Sequence, residues 1–168
     1  PRGAEGRKLP TIIYPHGGPY ARTTDSFDPW VQYFVAKGYA VLEPNFRGST
    51  GYGDEFMLAG YEEWGEDMQN DLDDGLAWIV SEGIADPKRV CMVGGSYGGY
   101  AALVAAYKQP EKYKCAVAFA PVTDIAELVR SQRRFVATQD LPVQSGEERS
   151  QNSPIEQAEK FGIPVLLV

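Results

Sequence analysis

Histidine is nearly absent from this chain: 168 residues hold one, His16. Cysteine is almost as scarce, with Cys91 and Cys115 alone. So few thiols and imidazoles leave no metal-ligand cluster and no disulfide framework. Each cysteine falls in a predicted strand and is expected as a buried thiol. Basic residues are outnumbered, 16 Lys and Arg against 23 Asp and Glu, for a net charge of −7. That balance excludes a broad nucleic-acid or anionic-membrane surface. No apolar run approaches the roughly 18 residues of a membrane span. An initiator methionine and a signal peptide are also missing. "PRGAEGRKLP" reads as a loop entered midway and "IPVLLV" as a buried strand, so a fragment is expected and its compartment stays open.

What is present is an alternation of short apolar runs and helical patterns. Strands are predicted over 11–16, 39–46, 88–94, 114–120 and "IPVLLV". A helix over 28–38 has Asp28 as N-cap, Pro29 at its first position and Gly38 at its end. Val31, Phe34 and Val35 share one face. The longest helix is predicted over 61–82, where Trp64, Met68, Leu72, Leu76 and Ile79 recur at helical spacing. Its acidic residues, from Glu62 to Asp74, are expected as a solvated face rather than a metal site. Trp64, Trp78 and Trp30 are expected in the core. "SYGGYAALVAAYKQP" is a helix whose Ala101, Ala102, Ala105 and Ala106 allow close packing on a sheet. Another helix starts near Asp124, and 138–152 reads as a surface loop or cap. Ser153, Pro154 and Glu156 form a capping-box arrangement. Nearly all-apolar strands separated by helices predict one α/β domain over 1–168, a parallel sheet with helices on both faces. Three glycine-rich loops, "HGGPY", "RGSTGYG" and "GGSYGG", then share the rim at the strands' carboxyl ends, where ligands bind in such folds.

The last of these loops joins a strand to a helix. A P-loop would need lysine where Tyr100 stands, and a dinucleotide fingerprint would need glycine where Ser96 stands. Gly94, Ser96 and Gly98 instead match the G-x-S-x-G nucleophile elbow. That turn lifts the serine hydroxyl above the sheet edge, and the glycines two residues away avoid collision. The following helix points the Tyr97 N–H at the site as an oxyanion donor. A second donor fits "PHGGPY", where Gly18 is assigned, with Gly17 its neighbouring alternative. His16 precedes the serine, the wrong order for a triad base, and is expected to brace the oxyanion loop. No cofactor is expected.

Taken together, "PHGGPY", "NFRGSTGYG", "GGSYGGYAAL" and the terminal "SPI…IPVLLV" resemble the catalytic domain of the prolyl oligopeptidase family of serine peptidases, over Leu9 to Val168. The acylaminoacyl-peptidase and dipeptidyl-peptidase-like branches are the nearest in pattern. The resemblance implies an α/β-hydrolase fold truncated before its last strand and helix, with an upstream β-propeller that admits short peptides. It implies Ser96 as nucleophile, with Tyr97 and Gly18 as oxyanion donors. The triad Asp and His would lie beyond Val168, leaving the isolated chain essentially inactive. The substrate would be a peptide, without nucleic acid or membrane partners. Arg47 could meet a substrate carboxylate or carbonyl, or pair with a nearby acid. Tyr52 and Tyr20 could line a substrate pocket or pack on its rim. A carboxylesterase of the same fold and a non-catalytic binding relative remain alternatives, because fold alone does not fix function.

Overall fold

The computed structural model describes residues 1, 3, 4, 8–132 and 151–168. Strands β1 (Leu9–Ile13), β2 (Ala40–Leu42), β3 (Ala85–Gly95), β4 (Cys115–Phe119) and β5 (Val165–Leu167) pair in parallel, in the order β2-β1-β3-β4-β5. Helices α1 (Pro29–Ala36), α2 (Asp54–Leu58), α3 (Asp67–Ser81), α4 (Tyr97–Lys108) and α5 (Ile125–Gln132), with a 3-10 segment at Pro154–Lys160, flank the sheet. The chain winds from β1 outward to β2, then returns to the other side of β1 as β3. That reversal makes the β1–β3 boundary a topological switch point, where the loops leaving the two strands diverge and open a crevice.

Local chemistry explains most boundaries. The Asp28 carboxylate accepts from the Trp30 and Val31 amides at 2.7 and 3.0 Å, and Pro29 opens α1 as expected. β2 is shorter than predicted because Pro44 cannot donate to a ladder. β3 is longer, since its register on β1 jumps between Leu9↔Ala85 and Thr11↔Val90. The extra residues of "DPKR" bulge out around Asp86, whose carboxylate accepts from the Lys88 amide and Arg89 Nε. α3 begins later than predicted, since Glu62 and Gly65 take left-handed backbone at φ 61° and 75° and turn the preceding residues.

The core gathers α3, α4 and the sheet. Trp64, Met68, Leu72, Leu76 and Ile79 are buried along the predicted stripe. Tyr97 to Ala106 of α4 are all buried, so the alanine-rich helix lies inside up to its last two residues. Trp30 and Trp78 correct the sequence expectation, being 60% and 54% exposed. α1 buries none of its residues, and Trp78 lies one position off the Leu72–Leu76–Ile79 stripe.

Three further expectations are corrected. Cys91 and Cys115 are directly opposed in the β3–β4 register, 4.8 Å apart at Cα, and form a disulfide rather than two thiols. Two strands' worth of local sequence does not reveal which residues face each other across a ladder. Ser153 holds the N-cap position with Pro154 after it, as expected, but its side chain makes no capping bond there; its Oγ accepts from the Ile125 amide at 2.9 Å and so serves α5. Nor is the α3 acidic run merely solvated. Asp73 is buried, accepting from Tyr113 Oη at 2.7 Å and Lys112 Nζ at 2.8 Å. The loop expected over 138–152 lies almost entirely outside the described residues, but its last member, Asn152, is buried.

Candidate active site

Ser96 stands at the carboxyl end of β3, at the switch point, with its side chain exposed amid buried neighbours. Its backbone has φ 55° and ψ −119°, a conformation that costs a non-glycine residue free energy and that tight functional turns impose. The turn is pinned by the Ser96 amide donating to the Phe119 carbonyl at 2.9 Å. Its flanking glycines are obligatory. A Cβ at Gly94 would lie 2.5 Å from the Gly98 carbonyl group, and one at Gly98 would run into the Pro15 carbonyl oxygen. α4 begins at Tyr97, so its first amides are free of intrahelical partners and directed to the elbow.

The loop after β1 closes on this turn. A Cβ at Gly17 would meet the Gly95 oxygen at 3.3 Å and Ser96 Cβ at 3.4 Å, so the two backbones run nearly in contact and a side chain here would press on the elbow. Gly18 has φ 129° and precedes a cis bond to Pro19. His16 stacks on Phe46, with centroids 4.5 Å apart and planes at 18°. Its Nδ1 lies 2.7 Å from the Gly17 oxygen and its Nε2 2.9 Å from Ser49 Oγ. Burial lowers its pKa, and the Gly17 carbonyl opposes this in part. Both ring nitrogens are committed to the loops, and neither bonds Ser96.

The third glycine-rich loop supports the second. Arg47 is gripped by Asp71, which accepts from its amide at 2.9 Å, its Nε at 2.8 Å and its Nη2 at 2.8 Å. Asp67 takes Nη1 at 2.7 Å. The hydrogen bond to Asp71 leads the forces that raise the Arg47 pKa still further. The guanidinium is thus spent on α3. Tyr52 Oη accepts from Asn45 Nδ2 at 2.8 Å and the ring packs against Phe56. Tyr20 packs edge-on against Tyr61 with its hydroxyl buried and without a hydrogen-bond partner among the described residues, and burial raises its pKa.

A cavity of about 310 Å³ opens beside the elbow, and Arg47, Tyr52 and Tyr20 are not among its walls. It is lined by Tyr14, His16, Gly17, Arg22, Glu43 and Gly95, among others. Burial, with Asp28 adding to it, raises the Glu43 pKa. Beneath the site, Asn152 donates to the Trp64 carbonyl at 3.1 Å and to Glu66 at 2.8 Å, and its own carbonyl accepts from Tyr100 and Tyr107. Ser49, Asp71 and Asn152 were not singled out from the sequence. Each acts on a partner at least 24 residues away, and only the spacing of Ser49 within the "RGSTGYG" loop could have drawn notice.

The prolyl oligopeptidase family profile matches residues 25–168. Dipeptidyl aminopeptidase BIII of Pseudoxanthomonas mexicana is 33% identical over 98% of this chain and 25% of its own length. Among solved structures, a Mycobacterium tuberculosis puromycin-hydrolyzing peptidase superposes with TM-score 0.82 at 31% identity, over 97% of this chain and 25% of that one. Acylaminoacyl peptidase of Pyrococcus horikoshii superposes with TM-score 0.86 at 26% identity, over 99% of this chain and 28% of that one. The chain therefore spans about a quarter of the length of such relatives. An α/β-hydrolase sheet, a strained serine at its switch point and a profile match across most of the sequence agree: this chain belongs to the prolyl oligopeptidase family of serine peptidases.

Proposed function

We propose that residues 1–168 are the nucleophile-bearing part of a peptidase that cleaves short peptides through an acyl-enzyme on Ser96. The observation that carries this is the exposed, strained Ser96 with the Gly17–Gly18 loop packed against it. Ser96 Oγ attacks the scissile carbonyl carbon while its proton passes to a histidine base. The carbonyl oxygen, now negative, is met by the Tyr97 and Gly18 amides, donors fixed before charge develops. The tetrahedral species collapses, the base returns the proton to the leaving amine, and water later hydrolyses the ester.

The base comes from outside residues 1–168, since His16, the one histidine of the sequence, is held by Gly17 and Ser49; the family resemblance implies that its carboxylate partner lies there too. A β-propeller upstream would restrict entry to short peptides. Without its base the serine hydroxyl is a weak nucleophile, so residues 1–168 alone turn over essentially no substrate. Arg47 and Tyr52 hold the "RGSTGYG" loop in this reading, and the cavity lined by Glu43 and Arg22 is left to the substrate. The test is a peptidyl-nitroanilide assay on the full-length enzyme and on residues 1–168. Activity in the first, lost in Ser96→Ala, and none in the second is expected. Turnover that survives Ser96→Ala, or robust turnover by residues 1–168 alone, overturns it.

A further inference from the structure

We propose that Ser49 is a positioning residue for acyl transfer, aiming the Gly18 amide at the oxyanion through His16. The inference rests on the reading of Ser96 as nucleophile. Ser49 is fully buried in the "RGSTGYG" loop. Its Oγ lies 2.6 Å from the Phe46 oxygen and 2.9 Å from His16 Nε2. On the far side of the ring, Nδ1 lies 2.7 Å from the Gly17 oxygen.

Proton accounting fixes the roles. The Gly17 oxygen can only accept, so Nδ1 carries a proton. With the imidazole neutral, Nε2 has a lone pair, and the one proton of the Ser49 hydroxyl is shared between Nε2 at 2.9 Å and the Phe46 oxygen, to which it donates at 2.6 Å. The Phe46 oxygen is still served by the Ser49 amide at 3.0 Å. When the imidazole is protonated, Nε2–H donates to Ser49 Oγ, and the hydroxyl turns its own proton to Phe46. A hydroxyl serves both states of the ring, and an alanine serves neither.

The consequence reaches the reaction through one peptide plane. The Gly17 carbonyl and the Gly18 amide belong to the same peptide unit, which is planar and trans, so they point in opposite directions. Holding the carbonyl on one side aims the N–H to the other. Ser49 fixes the rotation of His16, stacking on Phe46 fixes its plane, and Phe46 itself rests on Tyr97, 5.3 Å between ring centroids. Both oxyanion donors are thereby referred to one rigid block. Asp71 anchors that block to α3 through Arg47.

The experiment is steady-state kinetics on variants of the full-length enzyme. Removing an oxyanion donor costs roughly 10²–10³ in turnover, so misaiming one in Ser49→Ala is expected to lower kcat by about 10–100-fold. KM should stay within about 2-fold, because the interaction matters only once charge has developed. His16→Phe keeps the stacking and removes both hydrogen bonds. The double variant should fall within about 3-fold of His16→Phe, since both act along one path. If Ser49→Ala does not fold, Ser49→Cys keeps the shape with a weaker donor and should lower kcat by about 3–30-fold. A folded Ser49 variant with wild-type kcat, a loss confined to KM, or multiplicative effects in the double variant overturns the proposal. Failure of the nucleophile reading is separate: it would appear as turnover surviving Ser96→Ala.

Discussion

Replacing Asp71 by alanine tests whether the loop architecture around the site is held as described. Asp71 accepts three hydrogen bonds from Arg47, at 2.8 to 2.9 Å, one of them from the backbone. Hydrogen bonds to charged groups contribute about 1.5–3 kcal/mol each. The two side chains are 30% and 23% exposed, so water recovers part of that, and Asp67 keeps its own hold on Nη1. The net cost is expected at about 2–4 kcal/mol. Asp67→Ala removes two bonds, from Arg47 Nη1 and Asn70 Nδ2, at a side chain that is 51% exposed, and should still cost under about 1 kcal/mol. Peptide-resolved hydrogen exchange in the full-length protein reads this domain's opening free energy from the α4 amides. A cost for Asp67→Ala equal to that for Asp71→Ala, or a cost for Asp71→Ala below about 1 kcal/mol, would refute the reasoning.

Gly98→Ala drives a methyl into the Pro15 carbonyl oxygen, backbone that cannot swing aside. It should destabilise the domain by about 1–3 kcal/mol or displace the elbow, seen as lost protection in α4 and lost turnover. Thiol titration of the denatured, unreduced residues 1–168 should find no free thiol, because Cys91 and Cys115 are paired; two titrating thiols would contradict the bridge. His16 is held below its ordinary pKa by burial, so the unfolded chain, titrating near 6.5, takes up its proton first as pH falls. Stability from this residue is therefore full above about 6.5, declines as pH drops toward the lower folded value, and levels off beneath it. In His16→Phe that portion of the pH–stability curve should be flat.

The elbow was legible because its chemistry is local. Gly94, Ser96 and Gly98 occupy five consecutive residues, and the collisions that demand glycine occur between those residues and the adjacent loop. The Asp28–Pro29 helix start was legible for the same reason, a cap and its amides lying three residues apart. What the sequence hid depends on register and docking. The Cys91–Cys115 bridge needs β3 and β4 aligned residue for residue. The grip of Asp71 on Arg47 needs α3 laid beside a loop 24 residues earlier in the chain. Asn152 reaches Trp64 across 88 positions, yet sits in a polar stretch that composition alone assigns to the surface. Trp78 shows the opposite error, an aromatic residue placed inside by its type and outside by one step of helical phase.

Ser96 is proposed above as the nucleophile. The most direct measurement is treatment of the full-length enzyme with a fluorophosphonate, followed by peptide mass spectrometry and residual peptidase activity. The account predicts one adduct per chain on the peptide bearing Ser96, with activity lost in step with labelling. An adduct on another residue, or full activity after Ser96 is modified, would contradict it.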